Sequence, residues 1–363
     1  MSILLDDGQL AIAIESRRIV DAKANPQRAL ELLESKDAFD QSYWDMCKEQ
    51  GWTAVALPEA DGGLGLSLVE LGSIATAIGS AGAGAPFLTS SFGALFAIAT
   101  YGDAAQKSAW VEKLASGETI GAIAFAEGQS PIPSTPTVQF SDGKLTGNKL
   151  AVSGGSKADV AIVLASESGA PVLVVADLSG TTRRVLDTFD NSRCTADLTF
   201  NGCAASKLSG DDALAAALTI LSQQSVVTAH EQTGGAEAMM IRARDYAITR
   251  RAFGQLIGGF QSVKHRIAEM YGHVELARAA AVHAASRAGE ADFIKAAAAA
   301  RLLATDAYDI CARDCVQVHG GIGVTWESGI HLHLRRTRTL AIEQGNMLFW
   351  EDVLVNQLTG EAA

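Results

Sequence analysis

The feature that most restricts the fold of this chain is a hydrophobic pattern that changes twice along its length. Up to about residue 118, apolar residues recur at intervals of three and four, as at Ala75 and Ile78, which is the spacing of packed helices. From about 119 to 208, short apolar runs alternate with Gly, Pro, Ser and Asp clusters, which is typical of strands and turns. From Ser209 onward, long Ala- and Leu-rich stretches are again helical in type. The chain is therefore predicted to fold as helices, then a sheet, then helices.

Turn and capping residues mark boundaries inside these regions. Asp142-Gly143 lies between two short apolar segments and predicts a tight hairpin. The segments 67–70 and 209–212 begin with Ser and end with Glu or Asp three residues later, which predicts a capping box at the start of a helix. Long helices are then expected over about 209–249, 259–286 and 291–319.

Length, composition and charge indicate a well-packed globular protein. The 363 residues are enough for two or three domains, and 48% of them are hydrophobic against 19% charged. The net charge of −12 repels nucleic acid and anionic lipid, so neither is expected as a partner. The sequence contains no apolar run of about 18 residues, so no membrane-spanning segment is expected.

The cysteines and the N-terminal segment favour a cytoplasmic protein. The five cysteines have neither metal-binding nor disulfide spacing, which favours buried thiols in a reducing compartment. His331 and His333 have no clustered carboxylates or cysteines beside them, so no metal site is predicted. The segment 1–16 lacks the basic start of a signal peptide, and Asp6 and Asp7 interrupt its apolar residues.

The first candidate ligand-binding segment runs from Tyr246 to Gln261 and combines arginines, an aromatic residue and close-spaced glycines. Arg250 and Phe253 are three residues apart and share a face if the preceding helix continues through them. An arginine fork suits a pyrophosphate because it donates paired hydrogen bonds to oxyanions. Phe253 is placed to stack on an adenine. Taken alone, the same two residues fit a surface arginine and an ordinary core phenylalanine.

The second candidate segment runs from Gln317 to Glu327 and continues to Ile342–Asn346. Gly320 and Gly321 remove side chains where the backbone must approach a ligand. Alone, these glycines equally fit a structural turn after a helix. Paired with the first segment, they indicate a site for a large anionic nucleotide.

At these spacings the two segments resemble the signatures of the acyl-CoA dehydrogenase family, flavoproteins that desaturate acyl thioesters. Further matching positions are Phe260, Gln261, Lys264, His265 and 268–270. The resemblance covers nearly the whole chain and implies an α+β fold. Its expected domains are an N-terminal helical domain (1–118), a middle β-sheet or barrel-like domain (119–208) and a C-terminal four-helix bundle (209–363).

The resemblance also implies FAD as the cofactor. In the family, the counterparts of six residues contact the ADP part of an FAD held by the neighbouring subunit: Arg250, Phe253, Gln261, Gln317, Gly320 and Gly321. Ser153, as a hydrogen-bond donor, and Asn346 complete the predicted cofactor contacts.

The half of the site that would hold the flavin ring departs from the family. The family's Thr-Glu-Pro-Gly-x-Gly-Ser-Asp loop is replaced here by Ala126-Glu-Gly-Gln-Ser-Pro-Ile-Pro133. The next family motif, Gly-x-Lys-x-Trp-Ile-(Ser/Thr), reads Gly147-Asn-Lys-Leu-Ala-Val-Ser153, so Ala151 stands where a tryptophan packs on the flavin. Binding of the flavin ring by this chain's own β domain is therefore in doubt.

The catalytic base of the family is replaced as well. The reaction removes the α-proton of the thioester with a carboxylate while a hydride leaves Cβ for the flavin. Counted without gaps from Gln317, the family's usual glutamate is Gln344 here, and the alternative position on an earlier helix is Gln224. An amide has no useful basicity.

Glu343, beside Gln344, is the substitute base that a one-residue shift would bring in. The alternative for Glu343 is a structural carboxylate paired with Arg335, Arg336 or Arg338. Glu231 lies two helical turns after Gln224 and equally fits a polar contact inside the bundle. His230 and His319 are interpreted as hydrogen-bonding histidines rather than bases.

Three functions follow from these residues. In the preferred one, the chain is a subunit of a heteromeric acyl-CoA dehydrogenase that grips the ADP of an FAD, while a partner chain brings the flavin-ring pocket and the glutamate. Such heteromers in the family act on CoA esters of bulky side chains such as those of sterols. The second is a self-sufficient homodimer or homotetramer with Glu343 as its base, and the third is a non-catalytic paralogue that binds acyl-CoA or a nucleotide. The resemblance further implies an acyl-CoA substrate and an electron-transferring flavoprotein as electron acceptor.

Overall fold

A computed structural model describes residues 5–36, 38–82, 85 and 87–360 of the chain, and residues 1–4 of the N-terminal segment lie outside this described part. It confirms the predicted order of helices, sheet and helices. The helices are α1 (Asp7–Lys23), α2 (Pro26–Glu34), α3 (Gln41–Glu49), α4 (Leu68–Ala81), α5 (Phe87–Tyr101), α6 (Ala104–Ala115), α7 (Ala213–Ala247), α8 (Gln261–Ser286), α9 (Phe293–His319), α10 (Ile330–Leu340) and α11 (Met347–Thr359). The strands are β1 (Gly121–Ala124), β2 (Gln139–Ser141), β3 (Lys144–Val152), β4 (Val160–Glu167), β5 (Ala170–Asp177), β6 (Thr182–Val185), β7 (Ala196–Lys207), β8 (Arg251–Ala252) and β9 (Gln255–Leu256).

The described residues divide into two compact units. Unit 1 comprises those of 1–31, 68–83 and 225–363, with α1, α4 and the C-terminal helices. Unit 2 comprises those of 32–67 and 84–224, with α3, α5, α6 and strands β1 to β7.

The sheet of unit 2 closes into a five-stranded barrel. Its strands are neighbours in the order β4, β2, β3, β7 and β5, and β5 pairs back to β4. Strand β1 adds to β4 in parallel and β6 adds to β7. The predicted hairpin at Asp142-Gly143 is confirmed between β2 and β3, because both turn residues adopt positive φ, +51° and +72°.

Strand β4 has an uninterrupted apolar sequence because both of its faces are covered. Ala161, Val163 and Ala165 point into the barrel core. Val160, Ile162 and Leu164 point the other way, into a core shared with apolar residues of α5 and α6. The alternation that marks a half-exposed strand is therefore absent here.

Unit 1 is a helical assembly in which α9 packs on α8, α10 and α11. Helices α4 and α7 approach backbone to backbone at two glycines. A Cβ on Gly79 would lie 1.8 Å from the carbonyl oxygen of Glu231, and one on Gly234 would lie 1.9 Å from that of Thr76. Only glycine allows this approach, so these two residues set the helix spacing.

Two local predictions are corrected. The cap of α7 is Asp212, whose carboxylate accepts the N–H groups of Leu214 and Ala215, whereas Ser209 donates to the carbonyl oxygen of Tyr101. A carboxylate directly before the helix reaches those N–H groups better than a serine three residues earlier. Helix α7 also ends at Ala247, so Arg250 and Phe253 share no helix face.

Within the described part of the chain, no helix is both long enough and apolar enough to cross a membrane.

Candidate functional site

A two-stranded hairpin directly after α7 carries the first predicted segment. Strands β8 and β9 pair across a two-residue turn formed by Phe253 and Gly254, with φ of +52° and +84°. Phe253 is 95% exposed, so its interpretation as an ordinary core residue is wrong. Arg250, just before β8, is exposed as well. The hairpin therefore holds a bare aromatic ring and a guanidinium at the surface of unit 1.

The second segment begins where α9 ends. Gln317, in the last turn of α9, is exposed, and the helix stops at His319 because Gly320 has a φ of +61°. A Cβ built on Gly320 or Gly321 would meet no other atom within 4 Å. The two glycines therefore leave an open stretch of backbone, which a ligand can approach closely. Gln261, the first residue of α8, is also exposed.

The structure brings the two segments together through a pair of stacked rings. Tyr246 in α7 and His319 at the end of α9 lie with ring centroids 4.2 Å apart and planes 20° from parallel. His319 is oriented by a 2.8 Å hydrogen bond between its Nδ1 and the carbonyl oxygen of Cys315, and burial lowers the pKa of His319. It thus acts as a hydrogen-bonded structural ring.

An open groove of about 570 Å³ lies beside this stack. It is lined by Arg17, Arg242, Asp245, Tyr246, Thr249 and His319, together with apolar residues of α7. Sequence reasoning missed Arg242, whose guanidinium donates to the carbonyl oxygen of Ser328 and so connects α7 to the segment after Gly320 and Gly321. The one signal for it was its position four residues before Tyr246 on α7.

The turn between α10 and α11 carries the position predicted to correspond to the family's usual base. Gln344 has a φ of +55°, and its side-chain oxygen accepts a 2.8 Å hydrogen bond from the hydroxyl of Thr228. Glu343 is half-buried, and its carbonyl oxygen accepts a 2.9 Å hydrogen bond from Arg301. Asn346 caps α11, its side-chain oxygen accepting the N–H of Phe349. Its predicted contact with FAD would have to use the remaining amide nitrogen.

Three arginines near this turn each have a partner in the structure. Arg336 pairs with Glu231 at 3.0 Å, and both side chains are almost fully buried. Arg338 pairs with Asp309 at 2.9 Å. Arg335 lies over the ring of Trp326. The interpretation of Glu231 as a polar contact inside the helical assembly agrees with its buried ion pair.

In unit 2, Gln224 is 2% exposed and is lodged against α5. Its side-chain nitrogen donates to the carbonyl oxygen of Thr89 at 3.3 Å, and a Cβ on Gly93 would lie 2.4 Å from that nitrogen. The small residue at 93 thus accommodates the Gln224 amide and allows α5 and α7 to pack closely. The side-chain oxygen of Gln224 has no hydrogen-bond partner among the described residues.

The predicted flavin-ring half of the site also lies in unit 2. Its loop is held by hydrogen bonds and an ion pair, but Ala151 stands where the family has an aromatic ring. Glu127 accepts the backbone N–H groups of Thr137 and Val138 and pairs with the fully buried Lys149 at 2.6 Å. Burial lowers the pKa of Lys149 to about 8, although Glu127 acts in the opposite direction. Ala151 is exposed with a φ of +50° and offers no ring, and Ser153 is half-buried.

The residues of unit 1 fit the nucleotide part of an FAD. The exposed guanidinium, aromatic ring and amides match the charge and ring faces of an ADP group, and the bare backbone at Gly320 and Gly321 leaves room for it. The residues of unit 2 fit the flavin ring less well, because Ala151 supplies no stacking surface.

Comparisons with known proteins agree on the family. Residues 6–118 match the N-terminal domain of acyl-CoA dehydrogenases, and residues 214–348 match the C-terminal domain. Acyl-CoA dehydrogenase IpdE2 of Mycobacterium tuberculosis is 30% identical over 88% of this chain and 87% of its own length. The Tcur3481-Tcur3483 steroid ACAD, solved as a single-residue variant, is 25% identical with a TM-score of 0.87 over 98% of both chains.

The ChsE4-ChsE5 complex from Mycobacterium tuberculosis shares the fold, with a TM-score of 0.89 over 100% of both chains at 24% identity. The order of helices, closed barrel and helices is that of the same family. The chain therefore belongs to the acyl-CoA dehydrogenase family, whose members are FAD-containing oxidoreductases.

Proposed function

We propose that this chain is the base-lacking subunit of a heteromeric acyl-CoA dehydrogenase, in which it grips the ADP part of an FAD. A partner chain supplies the catalytic glutamate. The observation that carries the proposal is the chemistry at the two positions where the family keeps its base. Gln344 is hydrogen-bonded to Thr228 and Gln224 to the backbone of Thr89. Both side chains are carboxamides, which take up no proton in the pH range of the reaction.

The surface of unit 1 supports the nucleotide-gripping role. Arg250 would pair with the pyrophosphate and Phe253 would stack on the adenine, while Gln261 and Gln317 would donate or accept hydrogen bonds. The ring of Phe253 is 95% exposed, so its face is open for a ligand or another chain to cover. When bound, FAD supplies the oxidant that takes the hydride from Cβ of the acyl thioester.

The relatives favour a bulky substrate and a second chain. The steroid ACAD that is similar to this chain has two parts in its name, Tcur3481 and Tcur3483. By this likeness we infer that the substrate is an acyl-CoA with a large ring-bearing group. An electron-transferring flavoprotein is the expected acceptor, as the family implies.

A self-sufficient enzyme with Glu343 as base is the second candidate. The observation in its favour is that Glu343 is a half-buried carboxylate in the same turn as Gln344. Against it, the hydroxyl of Thr228 donates to the side chain of Gln344, which supports residue 344 as the position that the α7 side of the site meets.

Co-expression with a related chain that carries the glutamate tests the proposal. The pair should copurify with FAD and desaturate acyl-CoA, and Glu→Gln at the family position of the partner should abolish turnover. Glu343→Gln in this chain should leave kcat unchanged, with Glu351→Gln on exposed α11 as the matched control. Loss of turnover in Glu343→Gln, with folding intact, would instead establish the self-sufficient enzyme.

A further inference from the structure

The guanidinium of Arg301 joins three elements of unit 1. Arg301 lies in the middle of α9 and is only 1% exposed. Its Nη2 donates to the carbonyl oxygens of Leu340 and of Glu343, the latter at 2.9 Å. Its Nη1 donates to the side-chain oxygen of Gln232 in α7 and, at 3.1 Å, to the hydroxyl of Thr305. One buried cation thus connects α7 and α9 to the end of α10.

The turn that Arg301 reaches has an unfavourable backbone conformation. Gln344 has a φ of +55°, which side-chain-bearing residues rarely adopt, and Gly345 follows with a φ of +104°. Such conformations persist only where surrounding contacts specify them. The contacts here include backbone hydrogen bonds from Ile342 and Glu343 to the carbonyl oxygen of Thr339. They also include Arg301 on the residues before Gln344, Thr228 on its side chain, and the cap from Asn346 after it.

We propose that Arg301 is a positioning residue that holds Gln344 in its left-handed conformation against Thr228. It acts through the carbonyl oxygens of Leu340 and Glu343. The relevance of this turn to the site rests on the proposed function, in which an amide at position 344 takes the place of the family's base. The geometry itself does not depend on that function.

Arginine suits this role and lysine does not. The two Nη atoms of a guanidinium point along fixed directions, so one side of Arg301 binds the turn while the other is held by Gln232 and Thr305. An ammonium is a single nitrogen on a flexible chain and cannot span both sets of acceptors. Replacement would leave the carbonyl oxygen of fully buried Leu340 without its donor.

A purely structural role for Arg301 predicts a different result from a positioning role. If Arg301 only stabilises the helical assembly, its loss lowers stability but leaves the bond between Thr228 and Gln344 intact. If it positions Gln344, its loss also removes the energetic coupling between those two residues. A double-mutant cycle separates the two roles because it isolates the pairwise coupling.

The experiment measures unfolding of the full chain in denaturant for Thr228→Val, Gln344→Ala and the double variant. In the parent chain we expect a coupling of about fivefold in the ratio of folded to unfolded protein, as for one hydrogen bond. The same cycle in the Arg301→Lys background should give no coupling. In the Arg313→Lys background, a matched change at an exposed arginine of α9, the coupling should remain.

An unchanged coupling in the Arg301→Lys background overturns the proposal. If Arg301→Lys fails to fold, the cycle is measured instead in the Thr305→Val background, which removes one partner of the same guanidinium. We expect the coupling between Thr228 and Gln344 to be reduced in that background, and an undiminished coupling would equally overturn the proposal. No flavin, substrate or partner chain enters this measurement. A failed co-expression test would therefore not change the conclusion about Arg301. Likewise, an unchanged coupling in the double-mutant cycle would not change the conclusion of the co-expression test.

Discussion

Phe253, Ala151 and Gln344 all adopt a left-handed backbone conformation, with φ of +52°, +50° and +55°. For a residue with a side chain, this conformation costs about 1–2 kcal/mol and tends to persist at functional sites. The three residues lie in the three segments predicted to bind the ADP group, to hold the flavin ring and to carry the base. An unusual backbone conformation thus occurs in each predicted part of the site.

Phe253 should matter for the cofactor and not for folding. Phe253→Ala should change the free energy of unfolding by no more than about 0.5 kcal/mol, because the ring is 95% exposed. Loss of adenine stacking should weaken FAD retention in the assembled complex about tenfold or more. Denaturant unfolding and FAD titration measure the two effects, with Leu358→Ala, an exposed residue of α11, as control. A large loss of stability without loss of FAD would contradict the assignment.

Position 344 should accept a carboxylate. The hydroxyl of Thr228 can donate to a glutamate as it does to the amide of Gln344, so Gln344→Glu should cost less than about 1 kcal/mol at neutral pH. Gln344→Leu should cost more, since it leaves the Thr228 hydroxyl without that acceptor. Unfolding curves of both variants provide the comparison, and an equal loss in the two would show that Thr228 does not select the residue at 344.

At the scale of elements, the approach of α4 to α7 depends on glycine. Gly79→Ala or Gly234→Ala would drive a methyl group into a carbonyl oxygen of the opposite helix, at 1.8 or 1.9 Å, so the helices must separate. We expect a loss of about 3 kcal/mol or more in each case. Gly272→Ala in α8, where a Cβ meets nothing within 4 Å, should instead stabilise the chain by about 0.5–1 kcal/mol. Thermal unfolding of the three variants tests this, and similar melting temperatures would refute the close approach.

The buried histidines of unit 1 should make the stability depend on pH. Burial lowers the pKa of His230 to about 4 and that of His333 to about 3. An unfolded histidine titrates near 6.5, so between about pH 6.5 and 4 the unfolded chain binds more protons and stability falls as the pH falls. The slope should be about 1.4 kcal/mol per pH unit for each histidine. His230→Gln should reduce the slope measured by denaturant unfolding between pH 6.5 and 5, whereas His283→Gln at an exposed site should not.

The elements were predictable where the signal was local. The spacing of apolar residues located the long helices, and Asp142-Gly143 located the hairpin because two positive φ angles require such residues. The cap of α7 was assigned wrongly, since Ser209 and Asp212 are both good caps and only the helix start decides between them. Closure of the barrel also requires β3 to pair with β7, which joins residues far apart in the sequence such as Lys144 and Ala204, and no local pattern encodes that pairing.

The candidate site was predictable in composition but not in conformation. The resemblance to the family predicts the grouping of Arg250, Phe253, Gly320 and Gly321, whereas the stack of Tyr246 on His319 that joins their segments was not predicted. The role of Arg301 also escaped sequence reasoning, because it binds carbonyl oxygens, which every residue has. The one signal in the sequence was that Arg301 is a charged residue directly after the alanine run that follows Lys295.

We infer that the chain as a whole provides half of a catalytic site. The chain belongs to a family of FAD-containing dehydrogenases, and we propose that it binds the nucleotide part of an FAD and carries amides at both positions of the family's base. Departures confined to the flavin-ring and base side fit a division of labour between two chains better than general loss of function, which would have affected both sides.

The flavin content of the chain expressed alone is the most direct test of whether the FAD site requires a second chain. After purification, the ratio of flavin absorbance to protein gives the FAD bound per chain, and addition of acyl-CoA shows whether any bound flavin is reduced. We predict a colourless protein that acquires FAD and substrate-dependent flavin bleaching only with a glutamate-bearing partner. A yellow protein with one FAD per chain that acyl-CoA bleaches without any partner would contradict it.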